Sequence, residues 1–165
     1  MEENHVTEES LEERKIERIE EAYTKVIRKF RKRAEKLGGY ETLPDLWQDF
    51  APVILNTIHL RSTPVVVQRL LNYTGDFHDF CEAFVEDTDT HEYKEYFEAM
   101  EFAWCSVIKR STTSTTSGSA EHPSLTETEK VRILNVLQDG QERASNKLGI
   151  SQAYSKAIDL IDDDL

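Results

Sequence analysis

Residues 90–107 read Thr90-His91-Glu92-Tyr93-Lys94-Glu95-Tyr96-Phe97-Glu98-Ala99-Met100-Glu101-Phe102-Ala103-Trp104-Cys105-Ser106-Val107, and in them Tyr93, Phe97, Met100, Trp104 and Val107 step by four, three, four and three. Alternating steps of three and four return to one face of a helix with 3.6 residues per turn, so the stretch predicts a long helix with an apolar seam. Thr90 is placed to cap it, and the acidic run Glu86-Asp87-Thr88-Asp89 before it reads as a turn. Upstream, Phe77, Phe80 and Phe84 share a face, and Gly75-Asp76 is expected to interrupt the helix that precedes them. Thr42 ahead of Leu43-Pro44 and Ser62 or Thr63 ahead of Pro64 mark two more helix starts, because proline in a first turn forfeits no helical hydrogen bond. The central core is therefore assigned to 42–110. Such helices bury their stripes only against one another, so the fold class is all-α, a helical bundle.

Working outward to the N-terminus, 1–9 reads as an acidic disordered segment and 10–37 as an amphipathic, heptad-like helix with Ile16, Ile19, Tyr23, Val26, Phe30 and Leu37 along its stripe. Charge divides along this helix: residues 1–24 hold nine acids and three bases, whereas 25–37 hold seven bases and one acid. Both halves complement the helix dipole, and Gly38-Gly39 supplies the stop. Toward the C-terminus, 111–124 reads as a flexible Ser/Thr-rich linker open to phosphorylation, followed by a helix pair or tail over 125–165. In that pair Thr126 or Thr128 is the first cap, Leu148-Gly149 an end and Ser151 the second cap.

The composition excludes several classes. Among 165 residues, 32 acids outnumber 20 bases for a net charge of −12, so long-range repulsion opposes any whole-surface attraction to nucleic acid or anionic lipid. No apolar run approaches the roughly 20 residues of a membrane span, and the acidic opening lacks the pattern of a signal peptide. The two cysteines, Cys81 and Cys105, have no short-spaced partner and read as buried free thiols. These features point to an intracellular protein, cytoplasmic or nuclear, the nuclear placement being favoured by the basic run described next.

Three sets of residues stand out as binding elements. The stripe Ile16, Ile19, Tyr23, Val26, Phe30 and Leu37 is the expected contact surface for a partner helix or a second copy of the chain, as in a coiled coil; packing on the chain's own core is the alternative. The bases Lys25, Arg28, Lys29, Arg31, Lys32 and Arg33 resemble a nuclear localisation signal or a small phosphate-binding patch. Ile158, Leu160 and Ile161 with Asp162, Asp163 and Asp164 resemble a SUMO-interacting motif, an apolar tetrad followed by acids, which implies a docking tail that adds a strand to a partner's sheet.

Residues 140–158 also resemble a helix-turn-helix, with Ser151, Gln152, Ser155 and Lys156 at the reading positions, although Ser155 stands where that motif has an apolar residue. His78-Asp79 resembles the dyad of helical metal-dependent phosphohydrolases, with His59 and Asp87 or Asp89 as outer ligands, and His78, Cys81, His91 and Cys105 have the chemistry of a zinc set without its spacing. There is no Walker loop, dinucleotide fingerprint or nucleophile elbow. The resulting expectation is a non-catalytic interaction or scaffold subunit, without cofactor or metal, that binds other proteins through apolar helix faces. A small DNA-associated regulator and a metal-dependent hydrolase are the competing readings.

Overall fold

In the computed structural model, which describes residues 2–35, 38–117 and 124–165 and the side chains of 8–35, 38–111 and 124–165, the chain is all-α. Among the described residues six helices follow in order: α1 Glu2–Arg31, α2 Leu43–Ile58, α3 Thr63–Ala83, α4 Thr90–Ser117, α5 Glu127–Arg143 and α6 Ser155–Asp163. Short 3-10 turns follow α1 and α3, and a wider π-turn at Ala144–Leu148 follows α5. Helix α3 is the hub, touching α2, α4 and α5, while α1 packs on α2, and α6 packs on α4 and α5.

The helix starts follow local chemistry. The Thr42 hydroxyl accepts from the Asp45 amide at 3.3 Å, and Pro44 lies in the first turn of α2. Thr126 and Glu129 form a reciprocal capping box on α5. At the start of α6 the expected cap is corrected: Ser151 lies in the preceding loop, and the helix begins only after Gln152 and Tyr154 have taken positive φ angles of 61° and 63°. Gly149, at φ 69°, ends the preceding turn as its lack of a Cβ allows.

Three expected boundaries also shift. Helix α3 continues through Gly75, because Leu70, Tyr73, Thr74, Phe77 and Phe80 are buried on both sides of it and outweigh the cost of one glycine, about 1 kcal/mol. Backbone helix extends upstream of Ser10 in α1 and onward to Ser117 in α4, into segments read as disordered and linker, because acids favour an N-terminal turn and α4 continues a helix already nucleated. The remainder of the expected linker up to 123, and Leu37, lie outside the described residues.

A single apolar cluster runs from Ile19 to Ile161, so it takes in α1, α5 and α6 as well as 42–110. Aromatic rings connect its parts: Phe30 meets Phe80 edge-on at 4.6 Å, Phe80 meets Phe50 at 5.2 Å, and Trp47 stacks on Tyr96 at 4.7 Å. Phe77 meets Phe97 at 4.9 Å, and Phe97 in turn meets Tyr154. Buried polar groups pair across the helices, with His78 Nδ1 and Arg110 Nε left without a partner among the described residues. The Trp104 indole donates to Thr74 at 2.9 Å, and the Tyr93 hydroxyl to the Cys81 carbonyl at 2.8 Å. From α4, Arg110 reaches back to the carbonyls of Ile58 and Leu60, at 3.0 and 2.8 Å, and satisfies the end of α2.

Candidate functional site

The α1 stripe lies against its own chain. Ile19 and Val26 are 3% and 1% exposed, and Ile16, Tyr23 and Phe30 are half-buried on the same core. The Tyr23 hydroxyl donates to Asp76 of α3 at 2.5 Å, and burial and that bond together push its pKa up. Phe30 lies between Phe80 and Phe84. These residues are therefore not an open docking face, which corrects the partner assignment: α2 and α3 already supply the apolar surface that the stripe needs.

The C-terminal set is also placed differently from the expectation of a strand-forming tail. Ile158, Leu160 and Ile161 are helical, with Ile161 fully buried, and Asp162, Asp163 and Asp164 are exposed at the end of α6. Acids at a helix C-terminus oppose its dipole, and Lys130 of α5 relieves that conflict by bonding both the Asp164 carbonyl and its carboxylate, at 3.2 and 3.3 Å. Burial lowers the Lys130 pKa, but the bonds to Glu127 and Asp164 outweigh it, and the ammonium is held above its ordinary range.

The remaining motifs separate in space. His78 is buried, its Nε2 lying 2.8 Å from the Tyr154 hydroxyl, while Asp79 is exposed and pairs with Arg143 at 3.2 Å. The dyad thus turns to two different neighbours. Burial, reinforced by the Arg143 charge, lowers the His78 pKa to about 4, so the imidazole is neutral near pH 7. Cys81 is buried and Cys105 half-buried, whereas His91 and His59 are exposed. Among the described residues no three His, Cys, Asp or Glu side chains converge as a metal would require. In the helix-turn-helix resemblance, Ser151 and Gln152 sit in the loop and Ser155 and Lys156 open α6, with Gln141 of α5 bonding the Ala153 carbonyl at 2.9 Å.

The open apolar surface lies elsewhere. Helices α2 and α4 enclose a groove of about 450 Å³ floored by Trp47, Ile54 and Ala103 and walled by Leu55 and Phe102. Leu55 is 51% and Phe102 65% exposed. Pro52, inside α2, lacks the N–H that would bond the Gln48 carbonyl, and both residues line this groove. On its far side Phe102 also borders a more polar depression lined by Glu98, Cys105 and Lys156, so its ring is a ridge between two hollows. Sequence reading missed the groove. The available signal was Phe102 itself, an aromatic residue on the side of α4 opposite the seam through Met100 and Trp104.

No helix among the described residues is long and apolar enough to cross a membrane. Comparison of the chain with protein-family models, with curated proteins and with solved structures finds no match in any of the three.

Proposed function

We propose that this chain is a non-catalytic protein-binding subunit that seats an apolar segment of another protein in the groove between α2 and α4. One observation carries the reading: Phe102, at 65% exposure, forms with half-exposed Leu55 the two walls of an apolar groove in a chain whose other aromatic rings are largely buried. Apolar walls exposed together favour a site that releases water when filled, and aromatic residues dominate the energetics of such contacts. Exposed Glu98 and Glu95 lie one and two turns before Phe102 on α4 and exposed Lys109 two turns after it, so the fitting segment is apolar with a basic flank toward the start of α4. A helix presenting residues at i, i+3 and i+4 has the shape to lie between two helices.

The test places a photoreactive amino acid at Phe102 and, in a parallel sample, at the remote exposed position Arg132. A protein captured only from position 102 is then purified and titrated against the intact chain and against Phe102→Ala and Leu55→Ala. Loss of a hot-spot aromatic weakens binding by about 2 kcal/mol, some thirtyfold. Equal capture at both positions, or equal affinity for the intact chain and the variants, refutes the reading.

A further inference from the structure

In a chain of net charge −12, four exposed bases share the outer face at the end of α1 and its following turn: Lys25, Arg28, Lys29 and Lys32, at i, i+3, i+4 and i+7. The other two members of the basic run are turned away from them. Arg31 lies close enough to Asp76 for its charge to offset part of the rise that burial gives that carboxyl's pKa, and Arg33 folds over the Phe30 ring at 4.0 Å. Among the described residues Arg61, Arg69, Lys130 and Arg143 all make ion pairs, but none of the six in this run does. Lys29 is steadied over the Tyr40 ring at 4.6 Å, and the ridge stands on a helix fixed from behind by Val26 and Phe30. The spacing from position 25 to 32 is about 10 Å at the helical rise.

We propose that this ridge binds a compact, multiply phosphorylated group, either a phosphoinositide headgroup or a free polyphosphate. Compactness follows from the surroundings. Upstream on α1 the exposed acids Glu13, Glu17, Glu20 and Glu21 outnumber the exposed bases Arg14, Lys15 and Arg18, and exposed Glu35 and Glu41 follow the ridge, so a long polyanion crossing it would meet net acid at both ends. A ligand whose phosphates fall within about 10 Å meets only the bases. The helical state of Lys25 to Arg31 also opposes reading of the run by an import receptor, which takes such a sequence in extended form, whereas lysine and arginine on a helix still reach a phosphate. The hollow beyond Tyr40 is no alternative seat for an anion, because Glu35, Glu41 and Asp87 line it against the single base Arg33.

Four probes separate the sources: inositol hexakisphosphate, phosphatidylcholine vesicles containing phosphatidylinositol 4,5-bisphosphate, vesicles of equal charge made with phosphatidylserine, and a 20-nucleotide single-stranded DNA. The intact chain is compared with Lys25→Gln/Arg28→Gln/Lys32→Gln and with Arg14→Gln/Lys15→Gln/Arg18→Gln, which removes the same charge upstream on the same helix. All these side chains are exposed, and unchanged thermal unfolding verifies both variants. At about fivefold per base, the first variant binds the phosphorylated probe roughly a hundredfold more weakly, and the second changes binding only a few-fold. Binding of hexakisphosphate assigns a soluble ligand, and binding of the bisphosphate vesicles alone assigns a headgroup; either outcome supports the ridge. Equal losses in the two variants, no binding of either phosphorylated probe, or tighter binding of the DNA or the phosphatidylserine vesicles overturns the proposal.

Discussion

Replacing Gly140 with alanine should destabilise this protein, although helix propensity alone predicts the opposite. Gly140 is buried in α5 where that helix meets α3, and a Cβ there would lie 2.7 Å from His78 Nε2 and 2.9 Å from Tyr154 Cε2. Both neighbours are buried and bonded to each other at 2.8 Å, so neither can swing into solvent. Alanine gains about 1 kcal/mol of helix propensity. Against that stand about 1–3 kcal/mol for overpacking and about 1 kcal/mol for a strained His78–Tyr154 bond. The net loss is about 1–3 kcal/mol, which for a chain of this length lowers Tm by about 3–10 °C. Gly75 provides the control. It is exposed in α3, and a Cβ there meets nothing within 4 Å, so Gly75→Ala should raise Tm by about 2–3 °C. Thermal and urea unfolding followed by circular dichroism measure both variants. A Gly140→Ala protein as stable as the parent, or more stable, would refute the close approach of α5 to α3.

Three other perturbations test separate parts of the structure. His78 is neutral in the fold and protonates near its ordinary value of about 6.5 only on unfolding, so its contribution is complete above that pH and falls away as pH drops toward 4. The loss is about 3 kcal/mol across that window; His78→Gln should show a correspondingly flatter stability–pH curve, and parallel curves would contradict it. Val26→Asp, at a site 1% exposed, should cost about 3 kcal/mol or more and make α1 an early target in limited proteolysis; an unchanged digestion pattern would argue against its docking. Arg110→Met strips the donors from the Ile58 and Leu60 carbonyls and should cost about 2 kcal/mol in urea unfolding, whereas an unchanged midpoint would deny the clasp.

Much of the bundle can be read from its residues because helix chemistry is local. Thr42, Thr126 and Gly149 act within a few positions of themselves, and the Tyr93–Val107 seam follows from spacing alone. The failures are tertiary. An interruption at Gly75 was the expected effect of its propensity, but packing on both flanks overrides it. The stripe on α1 states that something covers Ile19 and Val26 without saying what, and the answer is α2 and α3. Likewise the apolar tetrad at 158–161 is compatible with a strand or a helix, and Lys130, distant in sequence, stabilises the helix end. The groove has no local signature because Leu55 and Phe102 belong to different helices and share a site only after folding.

The seating of α1 changes what a truncation would mean. Removing residues 1–37 looks from the sequence like taking away a protruding arm, yet in the folded molecule it uncovers Tyr73, Phe80 and Phe84 where Tyr23 and Phe30 had lain. Proteins recovered on such a fragment would include chaperones drawn to a raw wound, and their appearance would report injury to the bundle instead of the loss or gain of a natural companion.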